Sequence, residues 1–221
     1  MQRLFDIFFS SFAIFLLSPL LITVILLLKF SGEGQIFFLQ NRIGHKKKVF
    51  KLYKFVTMLK NSENIGTGTV TLHNDPRILP VGHFLRKSKI NELPQLFNVL
   101  RGEMSVIGPR PQTQRCFDAY PEVSQEEIIK VRPGLSGIGS IVFRNEDKMM
   151  HADNEPDKLY DRTIMPYKGV LEQWYVSHQG VWAYFCLIVL TIWVILTSNT
   201  NLIWKLFKNL PHPPEELKDW L

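Results

Sequence analysis

Residues Arg86 to Pro111, RKSKINELPQLFNVLRGEMSVIGPRP, place five cations (Arg86, Lys87, Lys89, Arg101, Arg110) around two carboxylates, Glu92 and Glu103. Side chains of these types can grip an anion, phosphate above all, and work on it. Asn91 is a good helix N-cap type, because its side-chain oxygen can accept from the free amides of a first turn. Pro94 suits an early helical position, where its missing N–H would have had no partner. Leu93, Leu96, Phe97, Val99 and Leu100 fit one buried face, and Gly102 supplies a stop. The pattern predicts a short helix from near Asn91 to near Arg101, with Glu92 in its first turn. A helix start carries unpaired N–H groups and partial positive charge, which suit phosphate. The GPRP sequence, Gly108 to Pro111, would present Arg110 on a fixed backbone. On these residues alone, a capped helix with a solvated basic rim is the plainer alternative and the favoured one.

Other segments must position this stretch. Gln35 to Met58 carries hairpin signals: IFFLQNRI, then Gly44 with three lysines, then VFKLYKFVTM. Period-two spacing puts Gln40, Arg42 and Gly44 on one face of the first strand. Lys51 and Lys54 fall on opposite faces of the second, so only one of them can serve a site there. Lys46 to Lys48 read as a membrane-facing cluster, worth about 1 kcal/mol per lysine near an anionic surface. Asn61 to Gly68 is expected to be a mobile loop. Asp75-Pro76-Arg77 should turn, with Asp75 capping or pairing with Arg77 rather than binding metal. Thr113 to Lys130 reads as helical around Phe117, Tyr120, Val123 and Ile128. Arg132-Pro133-Gly134 and the glycines 137 and 139 form a second turn that could bring amides close to phosphate, plain loop chemistry being the alternative. His151 and Asp153 are too few to make a metal site.

The ends of the chain are apolar. Phe8 to Phe30 is long enough for a membrane span, and no small-residue cleavage site marks it as a removable leader. Arg3 precedes it, while Lys29, Arg42 and Lys46 to Lys48 follow. Cations on both flanks argue that both ends prefer the cytoplasmic face. A bend at Ser18-Pro19 would return the helix to its starting side, since proline removes a backbone hydrogen bond. A straight span containing proline is the alternative. Val181 to Thr197 is a second uncharged run, borderline for spanning, with Trp182, Tyr184 and Trp193 suited to the headgroup level. The last residues, from His212, read as a peripheral tail. The chain has 221 residues, is 46% hydrophobic and carries a formal charge of +6, which fits one domain with a real core and an anionic partner. Nucleic acid is the weakest candidate partner, since no binding motif is present. Cys116 and Cys186 have neither metal-type nor redox-type spacing. No internal repeat or low-complexity segment occurs.

The run from Lys89 to Pro111, KINELPQLFNVLRGEMSVIGPRP, resembles the signature of the bacterial sugar transferases, monotopic phosphoglycosyl transferases that act on a polyprenyl phosphate. QNRIG (Gln40 to Gly44), KLYKF (Lys51 to Phe55), DPRILPVGHFLRK (Asp75 to Lys87) and VRPGLSG (Val131 to Gly137) extend the resemblance from Arg3 to about Thr197. It implies an α+β fold: a mostly helical single domain with a small β-hairpin, an N-terminal re-entrant membrane helix broken at Ser18-Pro19, and interfacial amphipathic helices. The corresponding boundaries are 1–30 for the membrane helix, 31–200 for the catalytic-type domain and 201–221 for an amphipathic tail. It implies transfer of a sugar 1-phosphate from a nucleotide diphosphate sugar to polyprenyl phosphate at the cytoplasmic face of a bacterial inner membrane, the first membrane step of surface-glycan assembly. Protein partners would be a second copy of the chain or downstream glycosyltransferases. In the family an Asp-Glu dyad supplies the covalent nucleophile (Asp) and a Mg²⁺ ligand (Glu). Here the dyad positions are Asn91 and Glu92, and an amide is a poor nucleophile. Lys54 matches the lysine of the family's Lys-Phe-Arg motif, whose arginine is Val56 here. Arg86, Arg110 and Arg132 would join Lys54 in neutralising phosphate. Ser140 stands near where the family commonly has glutamine. These departures keep a second reading open, that of a non-catalytic membrane-bound binding subunit.

Overall fold

Among the described residues helices predominate, and two two-stranded sheets complete the α+β architecture that the sequence predicts. The computed structural model describes residues 1–31, 34–60, 62, 75–146, 149–150, 156–218 and 220–221. The loop expected over 61–68 lies outside the described residues except for Ser62, as do His151 and Asp153. The described chain divides into two units: residues 8–40 with 51–98, and residues 1–7 with 41–50 and 99–221.

Helix α1 (Gln2–Phe30) runs unbroken through Pro19, where a break at Ser18-Pro19 is expected. Proline at 19 cannot donate to the carbonyl four residues back, that of Phe15. The Ser18 hydroxyl donates to that same carbonyl at 2.7 Å, and Thr23 Oγ1 donates to Pro19 O at 2.8 Å. The Ser-Pro pair thus fills the acceptor that the proline vacates. Phe12, Phe15 and Leu16 are exposed, whereas Leu21, Val24 and Leu28 are buried.

In the unit of residues 8–40 and 51–98, Leu21, Val24 and Leu28 pack with Phe55 and Leu85, flanked by Ile90 and Leu93. β1 (Phe37–Ile43) pairs with β2 (Val49–Phe55), the predicted hairpin. Asp75 and Arg77 form the expected pair, buried, with Nη2 2.6 Å from Oδ2. Arg77 O accepts from Leu59 N, and Thr57 O accepts from Leu79 N at the start of α2 (Pro80–Lys87). Gly82 in α2 lies against the Thr57 carbonyl, where a Cβ would sit 2.2 Å from the oxygen. α2 packs against the turn Ile90–Glu92, which leads to α3 (Gln95–Arg101).

In the unit of residues 1–7, 41–50 and 99–221, a second sheet appears that the sequence reading did not foresee. β3 (Ser105–Ile107) runs parallel to β4 (Gly134–Ser136), with Ser105 opposite Gly134 and Ile107 opposite Ser136. Three-residue strands carry too little periodicity to read in advance. The predicted helical segment after Thr113 is two helices, Gln114–Asp118 and Glu122–Ile128, separated before Pro121. Thr113 Oγ1 accepts from Cys116 N at the first. The helix Glu122–Ile128 packs on the helix Met165–Ser177. The second apolar helix spans Val181–Thr197, as read from sequence. The tail is docked rather than peripheral: Leu210 and Leu217 are buried, and Tyr167 OH donates to Pro211 O at 2.7 Å.

Candidate active site

The signature turns do not fold quite as predicted. Asn91 lies inside a 3-10 turn, Ile90–Glu92, rather than at a helix N-cap. Its side-chain Oδ1 is buried and makes no hydrogen bond, so the capping role is corrected. The reason is local: Ile90 and Leu93 pack against the core, and Lys89 enters the left-handed region at φ 60° to turn the chain out of α2. A non-glycine residue there costs about 1–2 kcal/mol. Such strain is commonly kept where a side chain must be aimed.

Glu92 accepts from Lys54 Nζ at 3.2 Å, and both side chains are less than a quarter exposed. Of the two lysines on β2, Lys54 is the one that meets Glu92, while Lys51 is exposed. Asn98 makes this meeting possible. Fully buried on α3, it accepts from Tyr53 N at 3.0 Å through Oδ1 and donates to Lys51 O at 2.8 Å through Nδ2. Its amide thus pairs with β2 as a neighbouring strand would, and holds Lys54 in register with the Ile90–Glu92 turn. Sequence reasoning missed Asn98; its signal was a polar residue within LFNVL. Arg86 is half-buried in the last turn of α2, on the same unit as Asn91 and Glu92.

Arg110 and Arg132 belong to the other unit and go to different places within it. Gly108 N donates to Ser136 O at 2.9 Å and Gly134 N to Pro109 O at 2.7 Å, so the GPRP turn is stitched to β4. Arg42 Nη1 donates to Pro111 O at 3.1 Å. Arg110 N donates to Glu172 Oε1 at 3.2 Å. Glu172 is buried, its Oε2 has no partner, and burial pushes its carboxyl up to about 7 despite the Arg110 and Gly139 amides and the nearby Lys168 and Arg110 charges. Lys168, also buried, pairs with Glu146 and lies 4.9 Å from the centre of the Phe143 ring. Burial lowers its ammonium pKa. The Arg110 charge favours the ionised Glu172 carboxylate and opposes the upward push of burial on Tyr160. Arg132 is exposed instead, and its Nε donates to Gly102 O at 2.8 Å. Ser140 Oγ, near the position of the family's glutamine, is buried without a partner.

The glycines of this region serve backbone proximity. A Cβ at Gly134 would lie 2.1 Å from Gly108 N, and one at Gly137 2.1 Å from Gly108 O. At Gly139 it would meet Glu172 Oε1 at 2.5 Å. Chemically, one unit offers a lysine-held carboxylate and, on the preceding residue, an orphaned amide oxygen, and the other offers an arginine on a turn fixed from several sides.

Residues 1–198 match the family described as bacterial sugar transferase. The exopolysaccharide production protein ExoY of Sinorhizobium fredii is 39% identical over 159 residues, covering 66% of this chain and 70% of that protein. An Aeromonas hydrophila protein named UDP-N-acetylgalactosamine-undecaprenyl-phosphate N-acetylgalactosaminephosphotransferase is 34% identical over 199 residues, 89% of this chain and 44% of that protein. A Klebsiella pneumoniae protein named UDP-glucose:undecaprenyl-phosphate glucose-1-phosphate transferase is 38% identical over 169 residues, 73% of this chain and 36% of that protein. This chain therefore spans less than half the length of the latter two.

Proposed function

Since the chain belongs to the bacterial sugar transferase family, we propose that it transfers a sugar 1-phosphate from a nucleotide diphosphate sugar to a polyprenyl phosphate. The observation that carries this reading is the family match over residues 1–198, together with relatives whose names state that transfer. An oxygen of the acceptor phosphate bonds to the β-phosphorus, the α–β phosphoanhydride bond breaks, and the nucleoside monophosphate leaves with the electron pair. The sugar stays on the β-phosphate throughout.

Phosphoryl transfer asks mainly for positioning and charge neutralisation. Each unit supplies a cation, Lys54 in one and Arg110 in the other, and the turn around Arg110 is held before substrate arrives, which avoids reorganisation during reaction. Asn91 offers no carboxylate to form a phosphosugar intermediate. Glu92 is engaged by Lys54, which lowers its availability as a nucleophile. Direct attack by the acceptor phosphate is therefore the favoured route. Asn91 Oδ1 is buried and unpartnered, and Glu92, the next residue, carries the carboxylate. Two such hard oxygens fit Mg²⁺, which typically takes one or two protein ligands and completes its shell from phosphates and water. Among the described residues no three metal-type side chains cluster, so phosphates would carry most of that shell. When bound, Mg²⁺ would draw charge from the phosphate oxygens.

Among the described residues α1 alone is long and apolar enough to cross a membrane. With Arg3 before it and Lys29, Arg42 and Lys46 to Lys48 after it, we propose that it is re-entrant, bending at Ser18-Pro19 without ending there, with both ends on the cytoplasmic side of the inner membrane. Arg3 and Lys47 should then label from the same side in single-cysteine topology mapping.

The test of function is turnover of radiolabelled UDP-sugars with undecaprenyl phosphate, comparing wild type with Asn91→Asp, alongside intact-protein mass after nucleotide sugar alone. Lipid-linked sugar phosphate from wild type is expected, with faster turnover and a phosphosugar adduct only in the Asp variant. No product from either protein across the donor panel would overturn the assignment. Equal turnover would show that position 91 takes no part in the chemistry.

A further inference from the structure

A cavity of about 250 Å³ opens in the unit of residues 1–7, 41–50 and 99–221, lined by Gln2, Arg3, His45, Lys130, Arg132 and Gln179. Its floor includes Asp6, whose carboxylate oxygen Oδ1 accepts from Ser105 Oγ at 2.8 Å, Val106 N at 2.9 Å and Tyr184 OH at 2.9 Å. Oδ1 of Asp6 thereby takes three protein donors. Arg3 donates to the carbonyls of Val99 and Leu100, and Arg132 to that of Gly102, so both guanidiniums are held by the C-terminal carbonyls of α3 and its stop. Held in this way, Arg3 and Arg132 are presented to the cavity at little further ordering cost, and Lys130 adds a third positive charge. Lys130 is exposed and pairs with Glu127 at the rim. Burial, and then the charges of Lys46, Arg132 and Lys48, hold the His45 imidazole below its ordinary pKa.

The cavity sits where two apolar helices begin. Gln2 and Arg3 open α1, and Gln179 lies two residues before the helix Val181–Thr197. Phe5 joins the two helices, its ring 6.1 Å from that of Tyr184 and 5.0 Å from that of Phe185. Leu4, Ile7, Val181 and Trp182 beside them are exposed. Exposed apolar helix surface next to a polar, cationic recess is the arrangement of a headgroup-level site.

We propose that this cavity binds the phosphodiester headgroup of an anionic phospholipid, seating the starts of both apolar helices at the membrane surface. The proposal rests on the membrane setting given above and is independent of the transfer reaction. The experiment uses the full chain in nanodiscs with labelled histidines, and follows the titration of His45 and of exposed His212 by NMR. The discs contain phosphatidylcholine alone, or phosphatidylcholine with phosphatidylglycerol. A third sample adds millimolar inorganic phosphate to the phosphatidylcholine discs. The expected result is an upward movement of the His45 midpoint with phosphatidylglycerol that exceeds the movement of His212. That excess should be lost in both Lys130→Gln and Arg132→Gln, each checked for an unchanged spectrum elsewhere. Equal movement of the two histidines would mean bulk surface potential only and overturn the site. The same excess with inorganic phosphate would overturn the lipid as its ligand. Sugar transfer assayed on the same discs keeps this outcome separate from that of the enzymatic reading.

Discussion

Glu172→Gln should make the protein more stable above neutral pH and should remove most of its pH dependence between pH 5 and 8. Glu172 is 1% exposed, and its carboxyl is held at about 7 rather than its ordinary 4.5. Between those two values the folded state binds more protons than the unfolded state, so stability falls as pH rises. The contribution is fully present below about 4.5 and lost by the time pH passes about 7. A difference of this size corresponds to about 3 kcal/mol at pH 8. Glutamine keeps an acceptor oxygen for Arg110 N and carries no charge to bury. It also places an amide N–H₂ where Oε2 now lacks a partner, a cost of about 1–3 kcal/mol. The net expectation is a gain of about 1–2 kcal/mol at pH 8 and a loss of similar size at pH 5. Denaturant unfolding followed by tryptophan fluorescence at pH 5, 6, 7 and 8 measures both. The signature is a crossing of the two stability curves. Parallel curves would refute the reasoning, because they would place the titration of Glu172 outside this window.

Three further substitutions test other parts of the scaffold. Lys54→Met removes the partner 3.2 Å from Glu92 and should lower turnover by about 10²-fold, in line with loss of one preorganised donor; unchanged turnover would remove Lys54 from the site. Arg110→Ala should weaken nucleotide-sugar binding by about 1.5–3 kcal/mol, read as the dissociation constant by calorimetry, and an unchanged constant would move the diphosphate elsewhere. Gly82→Ala drives a methyl to 2.2 Å from Thr57 O and should cost about 1–3 kcal/mol by overpacking, more than the roughly 1 kcal/mol gained in helix propensity; a raised melting temperature would contradict it.

Local signals were the ones that could be read in advance. The second apolar helix, the hairpin and the Asp75–Arg77 pair each depend on residues close in sequence or on strict periodicity, and each appears in the structure as predicted. Lys51 and Lys54 also face apart, Lys51 to solvent and Lys54 to Glu92, as the strand's period of two requires. The cap expected at Asn91 failed because N-cap preference is a weak prior that local packing overrides. Ile90 and Leu93 anchor the turn in the core, and Asn91 is carried between them. The short parallel sheet was illegible because its hydrogen bonds join residues about thirty positions apart.

The buried polar scaffold of each unit still left a trace in the sequence. Asp6 in LFDIFF, Asn98 in LFNVL and Glu172 in VLEQWY each interrupt an apolar run. All three are buried, and each accepts at least one backbone amide from a distant segment: Val106 for Asp6, Tyr53 for Asn98, Arg110 for Glu172. Burying such a side chain costs several kcal/mol unless it is hydrogen-bonded, so its place in an apolar face implies donors waiting there. What the run cannot give is the identity of those donors, because that depends on pairings 45 to 100 residues away. For Asn98 and Glu172 the donors flank cations: Tyr53 precedes Lys54, and Arg110 supplies its own amide. Both cations owe their placement to a polar residue hidden in a helix, which makes an interrupting polar residue in an apolar run the sequence feature that points to the scaffold behind each of them.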